Sequence, residues 1–154
     1  MKKFQDTFES KTENSALVSA TLVLMAGLPG TGKTKLAYQL VKSFGGIVID
    51  KDIIHTAMLS KGLNHADSAS AAYEVAFCLV KDLLLNQGQS VILDTAGRQP
   101  FILERARIIA KETQGTLKII RCVAPHEVRV ARLAGRISLD SQWASNQATD
   151  TAQE

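Results

Sequence analysis

The octapeptide Gly27-Leu28-Pro29-Gly30-Thr31-Gly32-Lys33-Thr34 decides the fold of this chain. It matches the phosphate-binding pattern G-x-x-x-x-G-K-[ST] at every fixed position. An apolar, β-rich run from Thr21 to Ala26 precedes it, and an apolar-periodic segment from Leu36 to Phe44 follows it. The motif requires this order of strand, glycine-rich loop and helix. A chance glycine-rich turn is therefore the less favoured interpretation.

This loop has the chemistry that a nucleoside triphosphate needs. Glycines let the backbone come close and adopt positive φ, so the amides from Gly30 to Lys33 are predicted to form an anion-binding nest. The helix that follows adds its positive N-terminal dipole. The Lys33 ammonium is placed to reach the β- and γ-phosphates, and the Thr34 hydroxyl is a predicted Mg²⁺ ligand. The predicted nucleotide contacts are Gly27, Leu28, Pro29, Gly30, Thr31, Gly32, Lys33, Thr34 and Lys35.

The composition indicates one globular domain with a sizeable core. The chain has 154 residues, of which 45% are hydrophobic and 21% are charged. No apolar run approaches the length of a bilayer-spanning helix, and residues 1–19 lack the apolar core of a signal peptide. We therefore predict a flexible N-terminal segment over residues 1–19, no membrane partner and a cytoplasmic location.

The two cysteines are predicted to be structural. Cys78 and Cys122 lie among apolar residues, and neither has a neighbour at a spacing typical of metal or redox sites. Free cysteine behaves as a small hydrophobic residue that is usually buried. We expect both to be reduced thiols in the core.

Strands and helices alternate along the chain, which predicts βαβ units and a parallel sheet. The predicted strands cover about 21–26, 47–50, 91–94 and 117–123, and the predicted helices about 33–44, 53–60, 70–86, 100–113 and 126–137. The third helix is expected to bury one face, formed by Ala72, Val75, Ala76, Leu79, Val80 and Leu83. Residues 64–68 are expected to form a polar loop, and residues 138–154 a polar C-terminal tail.

Three aspartates stand where predicted strands end. Asp50 and Asp52 close the second strand and Asp94 closes the third. Open α/β sheets bind ligands at the carboxyl edge of their strands, and phosphoryl transfer needs a metal and an oriented acceptor. Asp52 is our candidate base for the acceptor hydroxyl, although it could instead cap the next helix. Asp94 is the candidate Mg²⁺ ligand, and Asp50 could serve either role.

Positive charge is concentrated late in the chain. Residues 98–136 hold seven Arg and two Lys against three Glu, which suits contacts to phosphates, although part of this charge could be a solvated helix surface. Arg132 and Arg136 are four apart and are expected on one helix face, where they could stabilise a transferring phosphoryl group. Arg129 is a weaker candidate.

His55 could face the same cleft, but a lone histidine is more often structural. Trp143 has no role that the sequence indicates.

Four segments, in this order, resemble the P-loop kinases grouped as AAA-domain ATPases. They are GLPGTGKT from Gly27, IVIDKDIIH from Ile47, VILDTAGR from Val91 and CVAPHEVRVARLAGR from Cys122. That group is akin to polynucleotide 5′-hydroxyl kinases, zeta toxins, and gluconate and shikimate kinases. The resemblance covers residues 20–137, which we take as the kinase-like domain.

The resemblance implies a fold and a set of roles. It implies a three-layer P-loop NTPase fold of the nucleoside-monophosphate-kinase type, with a parallel sheet in the order 2-3-1-4. It implies ATP and Mg²⁺ at Lys33 and Thr34, an acceptor-activating carboxylate at Asp52, and a lid that carries Arg132 and Arg136. Relatives continue into a fifth strand, whereas this chain continues into a polar tail. We therefore expect the fourth strand to be an exposed edge where a partner could bind.

Two functions follow as hypotheses. The first is an ATP-dependent kinase that phosphorylates a hydroxyl of a small molecule or, although nothing specific indicates it, of a nucleic-acid 5′ end. The second is an ATP- or ADP-binding module with weak or no transfer activity, truncated after the lid. The sequence does not identify the acceptor.

Overall fold

A computed structural model describes residues 19–97, 99–136 and 139–142 of the chain. Four strands and five helices are assigned within these ranges. The strands are β1 (Thr21–Ala26), β2 (Ile47–Asp50), β3 (Val91–Asp94) and β4 (Thr116–Arg121). The helices are α1 (Lys33–Phe44), α2 (Lys51–Leu59), α3 (His65–Leu85), α4 (Pro100–Glu112) and α5 (His126–Ala134).

The strands form one parallel sheet in the order β2-β3-β1-β4, as the resemblance implies. The register pairs Leu22 of β1 with Val91 of β3 and Asp50 of β2 with Asp94 of β3. The last pair sets two carboxylates side by side at the carboxyl edge of the sheet. The phosphate-binding loop leaves β1 at this same edge.

Helices cover both faces of the sheet, so the fold has three layers. Alternate residues of a strand point to opposite faces. Leu22, Leu24 and Leu93 pack with α3 and α4, whereas Val23 and Met25 pack with α1. Because β1 and β3 are covered on both faces, their sequences are continuously apolar, as is typical of central parallel strands.

Two helices begin earlier than the sequence predicted, because side chains cap them. The Asp50 carboxylate accepts a hydrogen bond from the Asp52 amide at 2.8 Å, so α2 begins at Lys51, directly after β2. The Asn64 side chain accepts one from the Asp67 amide at 2.9 Å, so α3 begins at His65. The predicted polar loop over 64–68 was therefore wrong. The helix cap at the end of β2 is Asp50, which leaves the Asp52 carboxylate free of that role.

The predicted buried face of α3 was correct in part. Five of the buried residues recur every four positions, and Phe77 is buried in addition. The buried set is Ser68, Ala72, Ala76, Phe77, Val80 and Leu84. Val75 and Leu79 are 39% and 46% exposed, so the true stripe is rotated away from them. Cys78 is exposed on the same side, and Cys122 is partly buried. Both thiols are free, but the prediction that both lie in the core was wrong.

The structure ends β4 and α5 earlier than predicted. β4 ends at Arg121, and within the described ranges it pairs on one side only, with β1. α5 ends at Ala134, so Arg136 lies beyond the helix and does not share a helix face with Arg132. No helix within the described residues is long and apolar enough to cross a bilayer. Trp143 lies outside the described residues, as do residues 1–18.

Candidate active site

A cavity of about 690 Å³ opens at the carboxyl edge of the sheet. It lies where the phosphate-binding loop, the ends of β2 and β3 and the end of α5 come together. The structure places seven of the predicted functional side chains on its wall: Lys33, Thr34, Asp50, Asp52, Asp94, Arg132 and Arg136. The cavity also includes Pro29, Gly30, Gly32 and Lys35 from the predicted nucleotide contacts.

The phosphate-binding loop has the backbone geometry that its glycines predict. Gly30 and Gly32 adopt φ of +80° and +92°, which L side chains rarely tolerate. Gly32 is the N-cap of α1 and provides no side chain to the first helical turn. Lys33 Nζ donates to the Leu28 carbonyl at 3.1 Å, so its ammonium folds back over the loop. A phosphate group bound in the loop would receive the dipole of α1 and the Lys33 charge.

The charges around the loop suit an anion with its metal. Burial lowers the pKa of Lys33, and nearby Asp94 and Asp52 only partly offset this effect. Burial raises the pKa of Asp94 to about 6, with Asp50 and Asp52 adding repulsion and Thr34 and Lys33 opposing it. A phosphate beside Lys33 and a cation beside Asp94 would each supply the missing opposite charge.

Thr34, Asp50 and Asp94 provide oxygen atoms that could hold Mg²⁺ together with a nucleotide. Within the described ranges, no group of three His, Cys, Asp or Glu side chains forms a ready metal cage. Protein sites for Mg²⁺ typically supply one or two carboxylates and leave the remaining positions to water and phosphate oxygens. The donor set at the ends of β2 and β3 fits this description.

Asp52 projects from the first turn of α2 into the cavity. Its side chain is 32% exposed, and Lys51 Nζ lies 2.6 Å from one carboxylate oxygen. Lys51 is itself buried, and its ammonium also lies 5.3 Å from the centre of the Tyr73 ring. Lys51 was not among the predicted site residues, although its position between two aspartates was a signal.

The burial and contacts of the three arginines do not follow the order in which the sequence ranked them as candidates. Arg129, the weaker candidate, is 8% exposed and its Nε donates to the Pro29 carbonyl at 2.9 Å. Arg132 is more exposed, and its Nη1 donates to the Gly30 carbonyl at 3.2 Å. The Nε of Arg136 is buried and has no hydrogen-bond partner within the described residues. α5 is therefore fastened to the phosphate-binding loop, with Arg132 and Arg136 lining the cavity beside it.

His55 joins α2 to α3. It is 5% exposed, and its Nε2 lies 3.1 Å from the Ser68 hydroxyl. That hydroxyl donates to the Asn64 carbonyl at 2.6 Å, so it accepts from Nε2–H and fixes the tautomer. Burial, followed by the nearby Lys51 charge, lowers the pKa of His55. These contacts favour the structural role for His55.

Several cavity residues had no signal in the sequence. Tyr73 comes from the middle of α3, and its hydroxyl lies 2.9 Å from that of Thr95. Ser141 and Gln142 come from the predicted tail but line the cavity and contact α2. Only the folded chain brings these distant positions to the site.

A second cavity of about 490 Å³ lies on the other side of the phosphate-binding loop. Its wall combines the loop with residues that follow β3 and β4, including Gly97, Cys122 and Val123. Gly27 and Leu28 line this cavity, while Lys33 and Thr34 line the first. The loop therefore separates the two cavities.

Known proteins resemble the chain in sequence. The model of a family described as "AAA domain" matches residues 22–151. Two curated relatives, the uncharacterized proteins Mb2027c of Mycobacterium bovis and Rv2004c of Mycobacterium tuberculosis, are each 30% identical over 137 residues. The match covers 81% of this chain and 27% of each relative, so the chain spans about a quarter of their length.

Solved structures share the fold. A candidate kinase from Chloroflexus aurantiacus is 26% identical, with a TM-score of 0.68 over 77% of this chain and 67% of that one. A chain of the Pnkp1/Rnl/Hen1 RNA repair complex is 18% identical, with a TM-score of 0.70 over 92% of this chain and 45% of that one. A sugar kinase from Janibacter is 17% identical, with a TM-score of 0.60 over 88% and 78% of the two chains.

The sheet order, the phosphate-binding loop and the sequence match agree with one another. The kinase neighbours carry the same parallel sheet with helices on both faces. This chain belongs to the AAA domain family and has a P-loop, kinase-like nucleotide-binding fold.

Proposed function

We propose that the chain is an ATP-dependent phosphotransferase that acts on a hydroxyl group. The observation that carries this proposal is the convergence of phosphate-binding, carboxylate and arginine side chains on one cavity: Lys33, Thr34, Asp52, Asp94, Arg132 and Arg136. A nucleotide-binding site alone would not need a carboxylate beyond those at the ends of β2 and β3. Asp52, in the first turn of α2, is such an additional carboxylate on the cavity wall.

Each side chain has a separate task in this proposal. ATP, with Mg²⁺, supplies the phosphoryl group. Lys33 and the first turn of α1 hold the phosphates, and Thr34, Asp94 and Asp50 hold the cation. A bond forms between the acceptor oxygen and the γ-phosphorus, the bond from that phosphorus to the β-phosphate oxygen breaks, and Asp52 takes the hydroxyl proton. Arg132 and Arg136 offset the negative charge of the transferring group.

The acceptor is proposed only as a hydroxyl compound, either a small molecule or a nucleic-acid 5′ end. The neighbours named above include a sugar kinase and a chain of an RNA repair complex, and at their low identity they support the fold alone. A screen with γ-labelled ATP against sugars, nucleosides and 5′-hydroxyl oligonucleotides would separate these classes. Transfer to one class only would identify the acceptor.

Two substitutions test the proposed function. Lys33→Ala should weaken nucleotide binding by about 10- to 100-fold, because it removes a charged hydrogen bond to phosphate. Lys42→Ala, at an exposed position in the same helix, is the matched control and should bind normally.

Asp52→Asn should bind ATP normally but transfer phosphate at least about 100-fold more slowly, because it removes the base. Undiminished transfer in Asp52→Asn would refute the assignment of Asp52.

A nucleotide-binding module without transfer is the second candidate. It is favoured by the engagement of both Asp52 oxygens, one by Lys51 at 2.6 Å and one by Gln142 at 3.3 Å. An acceptor hydroxyl would have to share or displace one of these contacts. Normal ATP binding without any labelled product across the acceptor screen would support this second function.

A further inference from the structure

The segment Leu139–Gln142 docks on α2 at the acceptor side of the cavity. The Ser141 hydroxyl donates to the Asp52 carbonyl at 2.9 Å and accepts from the Thr56 hydroxyl at 2.8 Å. The Ser141 amide donates to the Thr56 hydroxyl at 3.3 Å. Three hydrogen bonds therefore hold one serine against the first turns of α2.

The next residue reaches the candidate base. Gln142 Nε2 donates to Asp52 Oδ2 at 3.3 Å, and Gln142 Oε1 accepts from the Leu139 amide at 3.3 Å. The Gln142 amide also donates to the Leu139 carbonyl at 2.8 Å. The side-chain amide is thus held at both ends, by its own segment and by the carboxylate.

We infer that Gln142 is a positioning residue for Asp52, with Ser141 as its anchor. The inference rests on the proposed phosphotransferase function. Lys51 holds Oδ1 and Gln142 holds Oδ2, so the carboxylate plane cannot rotate freely. A carboxylate oxygen can accept two hydrogen bonds, so each oxygen keeps a lone pair for the acceptor hydroxyl. A base acts efficiently only when it is held within hydrogen-bond reach of the proton that it takes.

α5 and the segment Leu139–Gln142 contact different parts of the cavity wall. Arg129 and Arg132 fasten α5 to the phosphate-binding loop, through the carbonyls of Pro29 and Gly30. Ser141 and Gln142 fasten the chain beyond α5 to α2. One stretch of chain therefore touches both the phosphate-binding loop and the candidate base.

The first experiment tests whether Gln142 acts through Asp52. Gln142→Met keeps the side-chain length and removes the amide. With water in place of the acceptor hydroxyl, it should lower kcat for release of labelled phosphate from MgATP about tenfold. The affinity for a non-hydrolysable ATP analogue should change less than about twofold, because the Gln142 side chain contacts Asp52 and Leu139 and not the phosphate-binding loop. The matched control is Gln87→Met, which removes a 2.8 Å contact to the exposed Asp82 far from the cavity. It should change neither quantity.

A double-mutant cycle separates positioning from a general structural effect. In the Asp52→Asn background, Gln142→Met should cause no further loss of kcat, since no base remains to be positioned. An unchanged kcat in Gln142→Met, or an equal loss in both backgrounds, would overturn the inference. Ser141→Ala should reproduce the loss, and Ser141→Thr, which retains the hydroxyl, should restore at least part of it.

The second experiment tests the docking without any activity. Thr56 and Ser141 are replaced by cysteine in a Cys78→Ser background, because their hydroxyl oxygens lie 2.8 Å apart. The disulfide between positions 56 and 141 should form under mild oxidation and be identified by mass mapping. Its failure to form would overturn the docking. If it forms but the wild-type protein neither binds ATP nor transfers labelled phosphate to any acceptor in the screen, the proposed function fails while the docking stands.

Discussion

At the residue scale, the Asp94 carboxylate lies in an environment that disfavours its charge. It is 4% exposed at the end of β3, beside Asp50 on the neighbouring strand. Burial is the main reason that its pKa is raised to about 6. A carboxylate in such a position is costly in the free protein and becomes favourable when a cation binds. Such a free-energy cost in the absence of a cation is expected of a side chain that binds a metal ion.

The raised pKa of Asp94 predicts a dependence of stability on pH. Because the folded pKa, about 6, exceeds the ordinary value of 3.8, the folded state loses stability as pH rises between these values. The full difference corresponds to about 3 kcal/mol. In EDTA and without nucleotide, Asp94→Asn should therefore match the wild type below pH 4 and exceed it by up to about 3 kcal/mol above pH 6. Urea unfolding at several pH values measures this difference.

The control for this prediction is Asp82→Asn, which should show the opposite sign. Hydrogen bonds from Asn86 and Gln87 lower the pKa of the exposed Asp82. Removing that charge should make the protein less stable at neutral pH, and the difference should vanish in acid. A pH-independent difference for Asp94→Asn would show that burial does not penalise its charge.

At the element scale, the packing of the phosphate-binding loop against α5 decides the geometry of the site. A Cβ added at Gly30 would lie 2.8 Å from the Arg129 carbonyl oxygen and 3.1 Å from the Arg129 Cα. The glycine is thus required for close approach as well as for its positive φ. Arg129 adds a buried hydrogen bond to Pro29 across the same contact. The loop and α5 therefore pack closely against each other, and a change in one is expected to shift the other.

Two glycine substitutions separate backbone strain from this packing. Gly62 has φ of +85° and no atom within 4 Å of an added Cβ, whereas Gly30 has φ of +80° and a close neighbour. Gly62→Ala should cost about 1 kcal/mol for the left-handed backbone alone. Gly30→Ala should cost at least about 1 kcal/mol more, because α5 must shift. Equal losses in urea unfolding would contradict the predicted packing between the loop and α5.

At the scale of the whole molecule, the sheet is more exposed to solvent at β4 than at its central strands. The central strands are buried on both faces, but most residues of β4 are exposed. Ile119 is 49% exposed, and Val123, just after the strand, is 77% exposed. Within the described ranges no strand pairs with the outer edge of β4. Such an edge favours association with another chain, so the partner proposed from the sequence for this edge stays a prediction.

A charge on β4 tests whether this edge causes association. Ile119→Lys should reduce concentration-dependent association, because a lysine on an edge strand opposes pairing with another chain. Light scattering and sedimentation over a range of concentrations would measure the change. Nucleotide affinity should not change, since Ile119 lines neither cavity. Stronger association of the lysine variant would contradict this role of the edge.

Local patterns made much of this molecule predictable. The loop from Gly27 to Thr34 has fixed spacing, positive-φ glycines and a flanking strand and helix, which are all features of a short stretch of chain. The ends of β2 and β3 were equally readable, because an apolar run stops at an aspartate in each. The parallel sheet then brings Asp50 and Asp94 together as a consequence of topology. The roles of these side chains in catalysis stay predictions.

The sequence by itself determined the nucleotide-binding fold and the edge of the sheet where the site lies, since these depend on local periodicity and strand ends. Only the tertiary structure showed that Arg129 is buried against the loop, that Lys51 pairs with Asp52, and that Gln142 reaches the same carboxylate. Apart from the Lys51 pair, these contacts join residues about 90 to 100 positions apart. No local pattern records which distant side chain will fill a given space, because that depends on how the whole chain packs.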